Sequence, residues 1–549
     1  MPIQPTRREL VAGASLIAAM GPAAFGQPSG SWRAGEVVHI LPTASDRAFR
    51  IKTSFRRPLA AASLSVDGRT MPGTQSDSDG RYWLFQVDGL EPDRLYSLQL
   101  FENSEALCEP WPLKTFPARE AEADSVRLLA FTCAGGLEGA KSINGAEAFR
   151  PLSIRHALLE RGLSFEPDAV IANGDHIYWD QRAWLEHPHP EIRRLTREAY
   201  DQYGYFDQNA LMFGTANEGL IKRLAEPQIA ALYGTRLRST PSFFVNDDHD
   251  YFENDDAFEE YVAFPPNDFQ VRAARAVQHL FYPEFLPDPA RPAAMSGASA
   301  PDRGVGVSEC FGTLRYGRLL EAVFYDCGRF LTLKGAAAGL VPPEVEAWLI
   351  ERTLAEDSDQ LIHVPSHPMG WTAGKWREWY PDVVASDADG DVVVSTHGGG
   401  ANRRLTTEQA KFMWQSGWFD QHQRLVEALC GQQSRAALSL SGDLHAIGSA
   451  QMTRSGAADL SHNPLHSVLS GPVSTSDAGW PTFARGVPAS PSGRVTFGAD
   501  AQPLEKNGFT IVDVFPDRMR IRQFAWREPQ PVEAIPALEP FSDFYVTRP

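Results

Sequence analysis

The sequence predicts an α/β (α+β) layered-sheet domain preceded by a small N-terminal β-sandwich. Three observations carry this expectation. Short strand-like runs punctuated by turn residues fill the stretch from about residue 35 to 117. From residue 126 onward such runs alternate with segments whose apolar residues recur at helical spacing. Six of the later runs end on a residue able to bind a metal or carry a proton.

At 549 residues the chain has room for two or three domains and a large core. Its 43% hydrophobic and 22% charged content is ordinary for a soluble globular protein. A formal net charge of -18 argues against a nucleic-acid-binding surface, which needs clustered basic residues. The first segment, "TRRELVAGASLIAAMGPAAFGQ", sets Arg7 and Arg8 ahead of a mildly apolar stretch that is too short and too rich in Gly and Ala to anchor in a bilayer. Small residues around Ala24 and Gly26 suit processing near Gln27. Residues 1–26 therefore read as a twin-arginine signal, an address recognised by the export machinery. No later stretch is apolar enough for a transmembrane anchor, so the expectation is a soluble protein, periplasmic or secreted.

Residues 33–118 supply the sandwich, with strands expected in "VVHILPTAS", "AFRIKTSF", "AASLSVDG", "YWLFQVDGL", "LYSLQLFE" and "PLKTFPA". "VDGLEPDRLYSLQLF" resembles the Gly-Leu-x-Pro-x-x-x-Tyr corner of fibronectin type III-like modules. The acidic "SDSDG" is read as a hairpin turn in preference to a calcium loop, and "AREAEADSV" as the hinge into a second domain spanning 119–549. In that domain "EAFRPLSIRHALLERG", "PEIRRLTREAYDQ", "PPEVEAWLIERTLAE" and "TEQAKFMWQSGWFDQHQRLVEALCG" carry helical periodicity. "FLPDPARPAAMSGASAPDRGVG" and "WREWYPDVVASDADGDVVVSTHGGGANRR" read as long surface loops, the second as a lid. Five cysteines are too few for a disulfide scaffold. Cys310 and Cys327 flank a predicted hairpin about Tyr316-Gly317, where either a facing pair or two buried free thiols fits.

The strand ends carry the chemistry. "VRLLAFT" runs into Cys133, "AVIAN" into Gly174-Asp175 with Tyr178 beyond it, and "SFFVN" into Asp247-Asp248-His249-Asp250. "LLEAVFY" runs into Asp326, "LIHVPS" into His367, and "AALSLS" into Gly442-Asp443-Leu444-His445. Taken singly, each has a plainer reading, since an Asp after a strand caps helices and a His or Tyr packs. Six such endings in one domain outweigh it, because the carboxyl edge of an α/β sheet is where ligands bind. One carboxylate, Asp175, can bridge two cations roughly 3.5–4 Å apart, as in two-metal hydrolytic sites. A thiolate, a phenolate and an imidazole favour a transition metal such as iron, and further carboxylates suit a harder cation. His249, set among acidic residues, suits a general acid.

The order Cys, "GDHIY", "DDHD", "GDLH" resembles the alkaline phosphatase D (PhoD) family of metallophosphoesterases, and is more distantly similar to purple acid phosphatases and calcineurin-like enzymes. "LEAVFYDCGRF" and "EVEAWLIERTL" also look like family segments. The resemblance spans the export signal, the β-sandwich and the second domain, and implies a metallophosphoesterase-like layered sheet. Carried over residue by residue, it implies that Cys133, Asp175, Tyr178 and His445 hold ferric iron (Fe3+). Asp175, Asp248 and Asp443, with Asn254, would hold a second divalent cation, calcium in most of the family. His249 matches the proton donor of the wider superfamily. The chain departs from the family pattern in "FTCAGG", which lacks the polar residue that often follows the cysteine, and in Asp250, where Glu is common. His367 sits where binuclear phosphatases place a histidine ligand; as a ligand it would bias the second site towards zinc or iron.

The expected activity is metal-dependent hydrolysis of a small-molecule phosphate ester, of the alkaline phosphatase or phosphodiesterase type, with Asp175 and His249 at its centre. A phospholipid- or phosphotriester-directed hydrolase on the same residues is the alternative. A non-catalytic β-sandwich binding protein leaves the six strand ends unexplained. Arg318, Arg329, Arg403 and Arg404 are phosphate-contact candidates, with surface ion pairing the preferred fate of most, and "HGGG" is read as flexible loop because no "GxSxG" elbow accompanies it.

Overall fold

The computed structural model describes residues 32–141, 145–179, 185, 190–252, 257–258, 261–375, 377–380, 383–385, 404–406, 414–498 and 503–549. The twin-arginine segment, Asn254, Arg403 and the "HGGG" loop lie outside the described residues.

The N-terminal strands alternate inward apolar and outward polar residues, as in Tyr82–Asp88 and Leu95–Glu102, and this period of two fixes which face packs. Two antiparallel sheets result. One joins Val37–Ala44, Ala48–Phe55, Tyr82–Asp88 and Thr74–Gln75; the other is built on Ser63–Val66 and Leu95–Glu102. Their shared interior holds Ile40, Phe49, Ile51, Leu64, Phe85 and Leu98. The "SDSDG" turn carries an ammonium: Lys222 Nζ lies 2.7 Å from Asp77, 2.8 Å from Asp79 and 2.8 Å from Glu218. This ties the sandwich to the helix Ala216–Ala225.

Beyond residue 126 two larger sheets face each other. The first has the order Ser242–Val245, Ala169–Asn173, Val126–Phe131, Asn507–Val514, Arg518–Trp526 and Ser542–Thr547, parallel among its first three strands and antiparallel thereafter. The second runs Phe311–Tyr316, Leu320–Tyr325, Gln360–Pro365, Leu438–Ser441, Leu465–Ser470 and Ile447–Ser455, with its middle four strands parallel. Alternate residues on these strands go to different layers. Leu128, Ala130, Ile171 and Phe243 face Ala322, Phe324, Ile362 and Leu440 between the sheets. Leu129, Phe131, Val170 and Phe244 face outward, against the helix Leu152–Leu163 among others. Val323, Tyr325 and Leu361 face outward against the helices Pro343–Leu354 and Ser416–Cys430. Burial on both faces is why "AVIA" and "AVFY" in these strands read as unbroken apolar runs with no alternation; the one charge among them, Glu321, is buried against Arg352.

This is a mixed α/β architecture with several sheets. The hairpin at Tyr316-Gly317 forms, with Phe311 opposite Tyr325, and all five cysteines are free and buried. One expectation is corrected. Within the segment read as a surface loop, Arg377, Glu378, Trp379 and Tyr380 are fully buried, while residues 386–403 lie outside the described residues. The length and polarity of the whole segment read as loop, whereas Trp379 and Tyr380 join the outer core beside Trp418 and Phe419.

Candidate metal centre

The carboxyl ends of the parallel strands from both sheets meet at one point. Thr132 and Asn173 stitch it together: Thr132 Oγ1 donates to the Asn173 carbonyl at 2.6 Å, and Asn173 Nδ2 donates across to the Pro365 and Leu440 carbonyls of the facing sheet. The chain turns sharply as each strand ends. Cys133, Asp175, Asp443 and His445 have φ of 47°, 58°, 70° and 50°, a left-handed conformation unusual for residues with a Cβ. Such strain persists where surrounding contacts over-determine it, and functional sites are where it collects. The glycines before the two aspartates are required by space. A Cβ on Gly174 would lie 2.7 Å from Asp247 Cβ, and one on Gly442 would lie 2.3 Å from Thr132 Oγ1.

Two clusters share Asp175. Ligand atoms of Cys133, Asp175 and His445 lie within 4.8 Å of one another, as do those of Asp175, Asp248 and His249. A third cluster joins Asp247, His367 and Asp443. Tyr178 belongs with the first: its hydroxyl donates to Asp175 Oδ2 at 2.7 Å and lies 3.1 Å from His445 Nε2. His445 Nδ1 lies 2.7 Å from the Gly479 carbonyl, an acceptor, so Nδ1 carries the hydrogen and Nε2 presents its lone pair to the cluster. Burial lowers the His445 pKa to about 4, which keeps the ring neutral. The partly buried ring of His249 lies over Tyr178, with centroids 4.3 Å apart.

The electrostatics of this point are unfavourable for a protein alone. Burial, reinforced by Asp175, pushes the Cys133 thiol and the Tyr178 phenol well above their ordinary pKa values. Burial, then the charge of Asp248, pushes Asp175 well above the carboxylate range. Asp175 Oδ1, both carboxylate oxygens of Asp248, Asp443 Oδ2 and His367 Nε2 are buried with no hydrogen-bond partner. A cation held among Cys133, Asp175, Tyr178 and His445 would relieve the first half of this, since it would accept the Asp175 lone pair and favour the deprotonated thiol and phenol.

Four roles lay beyond the sequence. Asp250 gathers the site without facing it: its carboxylate accepts from the backbone N–H groups of Asp175 (3.0 Å), His176 (2.9 Å), Ile177 (3.2 Å) and Asp247 (2.9 Å). Asp247 orients His367, accepting from its Nδ1 at 3.0 Å and leaving Nε2 4.0 Å from Asp443 Oδ2. Lys375 and Arg377 enter among these carboxylates. Lys375 Nζ bonds Asp443 Oδ1 and lies 3.8 Å from Asp248 Oδ2, and Arg377 lies 3.5 Å from Asp248 and 3.6 Å from Asp247. The DDHD motif carries a signal for the two aspartates; "GKWRE" has no spacing or period that marks it. Of the six strand ends, Asp326 stays outside the clusters and accepts from the Tyr251 hydroxyl and the Gly328 and Arg329 amides. Arg318 pairs with Asp359, and Arg329 with Glu309.

A cavity of about 270 Å³ adjoins the first cluster at Tyr178 and Trp179 and is walled by Leu137, Phe149, Leu195 and Tyr203.

Among solved structures, one described as "Structure of PhoD" superposes with a TM-score of 0.54, at 13% sequence identity, over 95% of this chain and 92% of that one. The chain has a PhoD-like fold. Two further likenesses carry no argument. The type III pullulan hydrolase from Thermococcus kodakarensis has a TM-score of 0.12 at 10% identity, over 59% of this chain and 54% of that one. A cyclomaltodextrinase has a TM-score of 0.10 at 11% identity, over 38% and 39%. No family model matches the sequence, and no curated protein does.

Proposed function

We propose that this protein is a metal-dependent phosphoric ester hydrolase, a metallophosphoesterase built on the PhoD-like fold. The observation that carries the reading is Asp175. It stands in two clusters at once, its Oδ1 is buried without a partner, and a thiol, a phenol and an imidazole stand beside it. Cys133, Asp175, Tyr178 and His445 would hold the first ion, and their soft and electron-rich donors suit ferric iron. If the centre takes a second ion, Asp248 and Asp443 with Asp175 are the residues that would hold it, calcium by the family resemblance, with zinc or iron as the choice if His367 joins them. Asn254 remains part of that proposal. A metal bound here supplies Lewis-acid stabilisation of charge on the phosphoryl oxygens and lowers the pKa of water.

The chain's own groups do the rest. Asp250 fixes the two ligand loops in register, and the buried walls keep bulk water from the donors. His249, partly exposed at the edge of the second cluster, gives its proton to the leaving oxygen. The largely apolar face that Tyr178 and Phe149 give the cavity favours an ester whose alcohol portion is apolar, an aryl or an acylated-glycerol group, which keeps the phospholipid-directed alternative beside the simple phosphate ester. Export by the twin-arginine machinery to the periplasm or beyond belongs to the same proposal. Among the described residues no helix is long and apolar enough to cross a membrane.

The test is a panel of aryl and alkyl phosphate mono-, di- and triesters with protein of measured metal content. Hydrolysis that disappears in Asp175→Asn together with the bound metal supports the reading. A metal-loaded protein inert on every ester would overturn it.

A further inference from the structure

We infer that the ammonium of Lys375, backed by the guanidinium of Arg377, stands where a second cation would sit, so that the centre works with one metal ion per chain. This rests on the phosphoesterase reading above. The two carboxylates that a second ion would have to join are Asp248 and Asp443, and Lys375 Nζ lies between them: bonded to Asp443 Oδ1 and 3.8 Å from Asp248 Oδ2. Arg377 adds a second positive charge 3.5 Å from Asp248 and 3.6 Å from Asp247.

The lysine is delivered by a built turn. Gly374 has φ +81°, its N–H donates to Thr372 Oγ1 at 3.2 Å, and Glu378 Oε1 accepts from the N–H groups of Ala373 (3.0 Å) and Lys375 (3.3 Å). The turn is anchored at both ends. Trp371 is buried and stacked on Phe497 with centroids 4.4 Å apart, and Tyr380 is buried with its hydroxyl bonded to His422. Lys375 itself is 3% exposed, so it is committed to this place rather than folded in from the surface.

Charge makes the same point. Asp247, Asp248 and Asp443 bring three negative charges to this half of the centre, and Lys375 and Arg377 bring two positive ones. Asp175, which a second ion would share with the first, adds a fourth negative charge, so a divalent ion would bring the balance only to neutral; but it would lie against a fixed ammonium in a buried setting, where like charges repel strongly. The chain uses the same device elsewhere, at Asp77, Asp79 and Glu218, where Lys222 Nζ occupies an acidic cage. In the first half no lysine or arginine is hydrogen-bonded to Cys133, Tyr178 or His445 among the described residues, and the donors there are left for a metal.

The experiment counts ions. Wild-type protein, loaded with iron and then titrated with calcium, manganese and zinc chlorides, is analysed by inductively coupled plasma mass spectrometry and by calorimetry. One tightly held ion per chain is expected. Lys375→Met, which keeps the length of the side chain and removes its charge, should take up a second ion at least about tenfold more tightly than wild type does. Lys375→Gln serves as a second variant, and thermal melting identifies any that fails to fold. Two tightly held ions in the wild type would overturn the inference and make Lys375 a partner of the phosphate. So would folded variants that still hold only one ion. A wild type that binds no metal at all would instead overturn the hydrolase reading, and this inference with it.

Discussion

Asp250 offers the sharpest test of how the centre is assembled, because it faces backbone rather than metal. Its two carboxylate oxygens accept four buried N–H groups, those of Asp175 and Asp247 on one oxygen and those of His176 and Ile177 on the other. Asp250→Ala leaves all four donors buried with nothing to accept them. At about 1 kcal/mol for each donor stranded, the low end of the cost, the loss is on the order of 4 kcal/mol. That is a large part of the roughly 5–15 kcal/mol that holds a protein folded. Asp250→Asn keeps one accepting oxygen and turns an NH2 group towards the other two donors, so about half the loss is expected, with added repulsion. Both variants should also release the first metal, since Asp175 is positioned by the N–H bond it gives to Asp250. Urea denaturation with metal analysis on the same samples measures both effects. If Asp250→Ala changed stability by less than about 1 kcal/mol and kept its metal, the clasp would carry no such weight.

The remaining expectations are shorter. His249→Gln should keep its metal and lose about 10²–10⁴-fold in rate on alkyl esters and much less on nitrophenyl esters, whose leaving oxygen needs no proton; equal losses on both would remove it as the proton donor. Iron-loaded protein should absorb in the visible through its phenolate and thiolate ligands, with Tyr178→Phe and Cys133→Ser each shifting or bleaching the band; a spectrum indifferent to both would exclude iron at that half. Burial lowers His39 and His466 to about 4, and His363 and His422 to about 3. A histidine with a lowered folded pKa contributes stability that is full above about pH 6.5 and lost as pH falls through the folded value. Each ring should contribute a few kcal/mol, so the melting temperature should fall steadily from about pH 6.5 to pH 4, and His422→Gln should flatten that slope. Finally, Arg7→Lys with Arg8→Lys should leave the protein in the cytoplasm; undiminished activity in a periplasmic fraction would dismiss the twin-arginine signal.

The layers and the strand ends are written in the order of residue types along the chain. Period-two runs such as Tyr82–Asp88 declare a half-buried strand, and a run apolar up to its last residue, such as Ala169–Asn173, declares one covered on both faces, so the sandwich strands and the parallel sheets were legible. The change of residue type where a strand stops marked Cys133, Asp175, Asp443 and His445, because an apolar run leading into Gly-Asp is a local pattern. What those ends do together was decided only by the tertiary structure. Asp326 stands at a strand end like the others, yet it lies outside the clusters and its carboxylate is taken by the Tyr251 hydroxyl and the Gly328 and Arg329 amides. Asp250 looked like a variant of the motif and acts as a clasp for four amides contributed by two separate loops. Lys375 and Arg377 left no trace in the sequence, since a cation in a loop is ordinarily a solvated one. Only the fold removes the solvent, leaving Lys375 3% exposed and Arg377 fully buried. Long-range charge pairing has no period along a chain, and that is the physical reason these two residues had to await the fold.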